Sequence, residues 1–296
     1  MSRLTIGEKI AVQIRDQPTS VMTLQQTRRA QDKNVQNVFS EVLRNAGRQG
    51  YASADITASA EITDTSEPLN IRVQESWNRW YQTEQLGRYA SDEAPRDLGE
   101  NFGNVLKKAY DEGAYVDPKS FLSGISEDEL KAVQNAHWLA DPIRVDSLTE
   151  EGALNLLIPP AAQVDLNKDG LTQSGISYGL RFPDSTTPTE VALAWEQATD
   201  GMPIQERMIY ELEMKLPVLT SNMVFDADGR FSHARSPGDP DFVNPMNAED
   251  YSFVEVTQNW MDYLDYFKNQ MDPDRYTKDM EFWSTFQEKL RDNGAA

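Results

Sequence analysis

The chain has 296 residues, with 28 Lys+Arg against 48 Asp+Glu, a net charge of −20, two His and no Cys. The absence of cysteine excludes disulfide frameworks, zinc–thiolate fingers, iron–sulfur ligation and cysteine nucleophiles. With only His137 and His233 as imidazole donors, any metal site would be built mainly from oxygen, which suits Ca²⁺ or Mg²⁺.

The negative charge opposes phosphate backbones, so no nucleic-acid partner is expected. No stretch of ~20 apolar residues occurs, so no membrane span is expected. Gln13 cuts the short run Ile10-Ala11-Val12, and the first thirty residues hold no apolar run of secretory length. That fits a cytoplasmic protein or one exported without a Sec leader.

Charge is divided along the chain: residues 1–60 carry 8 basic and 5 acidic residues, net +3, which leaves −23 for the remainder. The first twenty-two residues show no sustained period and read as a loose arm. Val35, Val38, Phe39, Val42, Leu43 and Ala46 then fall at helical spacing and end at Gly47. Residues 51–70 hold little bulky apolar material and read as a linker. The expected organisation is therefore an arm, amphipathic helix and linker over 1–70, followed by a body over 71–296. A half-exposed helix on a linker must dock on the body or on another molecule, so a protein partner or self-association is expected.

Within the body, Val73, Trp77, Trp80 and Tyr81 form one helical stripe, and Leu98, Phe102, Val105, Leu106 and Ala109 form another closed by Gly113. Asp117-Pro118 starts a short helix, and Ser126-Glu127-Asp128-Glu129 is a capping box ahead of Leu130, Val133 and His137. Ser147-Leu148-Thr149-Glu150 repeats the box before Leu154, Leu156 and Leu157, and Pro159-Pro160 ends that segment.

The period then changes. Val164 and Leu166 alternate with polar neighbours, as do Ile176, Tyr178, Leu180 and Phe182, which predicts one β-hairpin near 161–182 with its loop at Asn167–Gly175. Helices follow from Thr187-Pro188-Thr189-Glu190 to Gly201 and from Pro203 to Pro217. Residues 221–246 read as an irregular stretch. Asn247 is expected to cap a long helix through Phe253, Trp260 and Phe267, and a last helix carries Trp283, Phe286 and Leu290. The fold class is thus mainly α: a multi-helix globular body with one inserted β-hairpin and an N-terminal arm.

The most specific chemical signal is Asp165-Leu166-Asn167-Lys168-Asp169-Gly170. It resembles the first half of an EF-hand-type calcium loop, with oxygen side chains at the first, third and fifth positions and glycine at the sharp turn. The resemblance implies metal ligation by Asp165, Asn167 and Asp169 with the Leu171 carbonyl, Gln173 adding a further oxygen. Ile176 stands where the bidentate glutamate belongs, so the missing carboxylate would come from Asp146, Glu150, Glu151 or Asp184. The same Asn, Asp and Gly residues equally suit a turn without an ion.

Asp226-Ala227-Asp228-Gly229 offers two carboxylates and a turn glycine. His137 with Asp141 one helical turn later is a conceivable acid–base pair, and His233 follows Ser232 without a nucleophile motif. Gln74-Glu75-Ser76-Trp77 resembles the catalytic-glutamate helix of lytic transglycosylases, which implies a general-acid Glu75; the Gly-Leu-Met-Gln-like run of that family is missing. No glycine-rich nucleotide cradle is present. The sequence therefore favours a non-enzymatic, acidic structural or protein-interaction protein with one possible Ca²⁺ in the 165–173 loop. The alternative is a glycosidase-like hydrolase acting through paired carboxylates.

Overall fold

The computed structural model describes residues 23–48, 66–85, 87–90 and 95–295. The fold is mainly α. Its first helix, α1 (Leu24–Asn45), starts well before the first apolar periodic residue because Thr23 and Gln26 form a reciprocal capping box there. The apolar stripe from Val35 to Leu43 is buried against α2 (Leu69–Glu84), and both belong to one apolar cluster that extends to Val164. The face expected to seek a partner is thus docked on the body. The predicted linker lies largely outside the described residues.

α3 (Leu98–Asp111) packs on α2 through glycine. A Cβ on Gly99 would meet the Tyr81 ring at 2.6 Å, and one on Gly103 would meet Trp77 at 3.1 Å. With hydrogen in their place, the rings of Trp77 and Tyr81 lie directly on the α3 backbone, and the Trp77 indole N–H donates to the Gly99 carbonyl at 2.7 Å. Phe102 meets Trp77 edge to face at 4.8 Å. Burial of each such side chain contributes about 1.5–3 kcal/mol. α4 (Pro118–Gly124), α5 (Glu127–Ala136) and α6 (Glu150–Leu156) complete this half. Ser126 caps α5 as its sequence predicts. Thr149, rather than Ser147, caps α6, because Ser147 lies in a preceding 3-10 turn.

A hairpin forms within 161–182, but its first strand lies inside the stretch expected to be the loop, Asn167–Gly175. β1 (Thr172–Ser174) pairs antiparallel with β2 (Ser177–Gly179) around Gly175 and Ile176. Val164 and Leu166 do not form a strand, for a local reason. The Asn155 side chain takes both backbone groups of Val164, and Glu151 accepts the Leu166 N–H, so side chains satisfy what a strand partner would have satisfied.

The second half contains α7 (Thr189–Ala198), α8 (Ile204–Ser221), α9 (Phe253–Phe267) and α10 (Pro273–Asp292). Its separate apolar cluster is aromatic. Phe182, Trp195, Tyr210, Phe253, Phe282, Trp283 and Phe286 are all buried, and Trp260 stacks on Trp283 at 5.3 Å. α8 continues through Pro217, which was expected to end it, since burial of Met214, Lys215 and Val218 holds both sides of the proline in register. Ser252, not Asn247, caps α9; Asn247 closes a 3-10 turn. The stretch read as irregular holds a second hairpin, β3 (Met223–Phe225) with β4 (Phe231–Ala234).

A polar seam joins the halves. Arg29 pairs with Asp200 at 3.0 Å and donates to the Thr199 carbonyl, while Lys33 pairs with Glu196 at 2.5 Å. Gln25 donates to the Met202 carbonyl, which brings the start of α1 to the start of α8.

Candidate functional site

Thr149 accepts the Gly152 N–H and so starts α6, which places Glu151 in the first turn, where the helix dipole favours an acid. Glu151 is 4% exposed and aims at the 165–173 segment. Its Oε2 accepts from Leu166 N at 2.9 Å and Asn167 N at 3.2 Å, and its Oε1 accepts from Gln173 N at 2.7 Å. One carboxylate from α6 therefore spans both ends of the loop.

The loop is wound by its own oxygens. Asp165 accepts from Asp169 N at 3.2 Å and Gly170 N at 2.8 Å, Asn167 from Asp169 N at 2.9 Å, and Asp169 from Leu171 N at 2.9 Å. Lys168 and Gly170 adopt φ of 61° and 88°. At Gly170 this is the left-handed geometry that glycine accepts freely. The alternating Asp, Asn and Asp thus act as successive side-chain-to-backbone turns.

Three outside contacts fix the loop. Lys215 on α8, which is fully buried, donates to the Gly170 carbonyl at 2.9 Å and pairs with Asp184. Asn247 and Asn244 donate to the Lys168 carbonyl at 2.6 and 3.3 Å. The Ser185 hydroxyl accepts from Asp165 N at 2.8 Å.

The electrostatics are uneven. Burial would raise Asp184, but the Lys215 ammonium and the Thr186 hydrogen bonds hold it below the ordinary carboxylate value. Among the described residues no such cation pairs with Asp165 or Glu151. Burial pushes each up to about 7 against the pull of backbone N–H bonds, and the neighbouring Asp169 raises both further. Of the four residues named as sources of a missing carboxylate, Glu151 reaches the loop backbone, and Asp184 reaches it through Lys215. Among the described residues no three Asp, Glu, His or Cys side chains converge as a metal-holding group. An ion bound here would therefore draw Asp165, Asn167, Asp169 and the Leu171 carbonyl together.

The other candidates bond to partners outside the 165–173 loop. His137 is buried, its Nε2 bonding to the Leu156 carbonyl and its Nδ1 facing the Gln163 amide, each at 3.1 Å. Burial lowers its pKa to about 3, so the ring is neutral, and Asp141 is exposed and makes no bond to it. His233 is exposed on β4 beside the Ser232 hydroxyl. Asp226 turns the second hairpin by accepting from Asp228 N and Arg230 N, both at 2.9 Å. Glu75 lies on the surface of α2 in an ion pair with Arg79, while Trp77, Trp80 and Tyr81 point into the core.

A surface cleft of about 320 Å³ is lined by residues that include Lys108, Glu112, Asp117 and Phe121, and a smaller one by Asn34, Arg72, Glu75 and Ser76. Neither is lined by Glu151, Asp165 or a histidine. No helix among the described residues is long and apolar enough to cross a membrane.

Sequence reasoning singled out Asp165–Leu171 but missed Lys215, a lysine inside an otherwise amphipathic helix. It also left Glu151 unranked among four acids. The place of Lys215 in sequence between the apolar residues Met214 and Leu216 is the one local signal that could have found it. Comparison of the chain with protein-family models, with curated proteins and with solved structures gives no match.

Proposed function

We propose that this protein is a non-enzymatic, acidic structural or protein-interaction protein whose 165–173 loop takes up one Ca²⁺ as a rigidifying ion. The observation that carries the reading is the buried pair Glu151 and Asp165: two carboxylates, each 4% exposed, to which no ion pair extends among the described residues. Their negative charge is relieved either by a proton or by a cation. Asp165, Asn167, Asp169 and the Leu171 carbonyl supply the hard oxygen donors that calcium prefers. Binding to the folded state alone would raise stability in proportion to the logarithm of ion concentration.

The alternative is a hydrolase acting through paired carboxylates, for which Glu151 and Asp165 are one pair whose raised pKa suits proton transfer. Their oxygens, however, hold backbone N–H groups away from both clefts. We therefore favour the structural reading.

The test is thermal melting with millimolar Ca²⁺ against a chelator, at pH 8, for the full chain and for Asp165→Asn. Calcium should raise the midpoint of the parent chain and leave the variant unmoved. An unmoved parent midpoint, with no calcium retained on purification, would remove the ion from the proposal.

A further inference from the structure

The second half exposes apolar side chains along α8 and along the hairpin that follows it. On α8, Ile204, Met208 and Leu212 recur every four residues and are 49%, 59% and 43% exposed, with Ile209 beside them. α8 leads through Asn222 directly into the β3–β4 hairpin. There Met223, Phe225 and Phe231 are exposed on one face, and the two phenyl rings meet edge to face at 6.2 Å. Every side chain of β4 is exposed, and no third strand joins this sheet among the described residues. A two-stranded hairpin of this kind is marginal alone in water, and an apolar face of this length marks a docking surface.

The sequence of this same chain contains a matching segment. Residues 1–22 precede α1 and lie outside the described residues. In them Ile10, Val12 and Ile14 alternate with Ala11 and Gln13, the pattern of one apolar strand face, flanked by Lys9 and Arg15. The chain leaves the described structure at Thr23, next to Gln25, whose amide is held by Met202 at the foot of α8. α8 has 18 residues and spans about 27 Å. Ile14 is nine residues before Thr23, a reach of up to ~30 Å when extended. The origin, the length and the apolar alternation therefore fit the hairpin at the far end of that helix.

We propose that the N-terminal segment of this chain covers this face, with Ile10, Val12 and Ile14 laid against Phe225 and Phe231 as an added strand and residues 15–22 running along Met208 and Ile204. Strand addition uses the backbone of an open sheet edge for affinity and the alternate side chains for register. The contact does not depend on calcium, because it shares no residue with the 165–173 loop.

The chain lacks cysteine, so introduced thiols carry label only where they are placed. Full-length Val12→Cys/Ser232→Cys bearing two nitroxides, measured by pulsed dipolar spectroscopy, should give one short and narrow distance. That component should be lost when Ile10→Asp and Ile14→Asp are added, and also when Met208→Asp and Phe231→Asp are added instead, with helix content by circular dichroism unchanged. A long, broad distribution in the parent would overturn the proposal, and so would a narrow one indifferent to both charge sets. The same short distance in a mixture of singly labelled chains would replace it with a second copy as occupant.

Discussion

Replacing Lys215 by Met is the sharpest perturbation available in this fold. The ammonium is fully buried and holds two acceptors, the Gly170 carbonyl and Asp184 Oδ2. Methionine fills nearly the same volume, so packing is largely kept and the change falls on the electrostatics. Asp184 is 2% exposed, and its remaining bonds, from Thr186 N, Thr186 Oγ1 and Thr187 Oγ1, all go to Oδ1. The variant thus leaves a buried charge whose second oxygen has lost its cation. Breaking a buried pair in this way costs about 3–5 kcal/mol, whereas replacing both partners by neutral groups is often close to neutral. Urea unfolding followed by tryptophan fluorescence at pH 8 should show a loss of that size for Lys215→Met. The double variant Asp184→Asn/Lys215→Met should recover at least half of it. The single-variant loss should also shrink as pH falls, because without the Lys215 cation burial favours a proton on Asp184. A single-variant cost below about 1 kcal/mol, or a double variant that simply adds the two single losses, would refute the reading of Lys215 and Asp184 as a strongly coupled buried pair.

Asp165 and Glu151 have folded-state pKa values raised to about 7 from ordinary values of 3.8 and 4.5, so between those limits the folded state binds more protons than the unfolded one. Their contribution to stability should therefore fall as pH rises from about 4 to about 7 in the absence of calcium, and Asp165→Asn should flatten that slope in urea titrations; an unchanged slope would count against the burial argument. His137 acts in the opposite sense, since its pKa is lowered to about 3: its neutral burial favours the fold above pH 6.5, and that benefit is lost as pH falls toward 3. His137→Gln should remove this loss in acid melts. Gly152→Ala should destabilise by more than about 2 kcal/mol and loosen β1, because a Cβ there would overlap the Gly175 carbonyl oxygen; a midpoint within error of the parent chain would show that the two segments can separate freely.

The apolar stripes of α1, α2, α3 and α10 were legible in the sequence because each repeats at helical spacing, and the Ser126 box and Asp117-Pro118 start were legible because their chemistry is local. What escaped was decided at a distance or by side chains imitating backbone. Gly99 and Gly103 went unread, yet they are where two aromatic rings rest on α3. Val164 and Leu166 alternate like a strand, but Asn155 and Glu151 take the bonds that a neighbouring strand would have made. Pro217 signals a helix end and is overridden by burial on both sides. At the candidate site, the turn residues from Asp165 to Gly170 were visible as a group because they are contiguous. Glu151 and Lys215 arrive from 14 residues before and 45 residues after the two ends of that run, and no local spacing reveals such partners.

Besides the seam at Arg29 and Lys33, several bonds between the two halves run through one short loop. Glu151 grips it from the first half, while Lys215, Asn244 and Asn247 grip it from the second. The loop therefore behaves as a rivet through two plates. Shearing it should let each plate breathe on its own, so amide protection in α3 and α10 would decouple, and a single unfolding event would split into two.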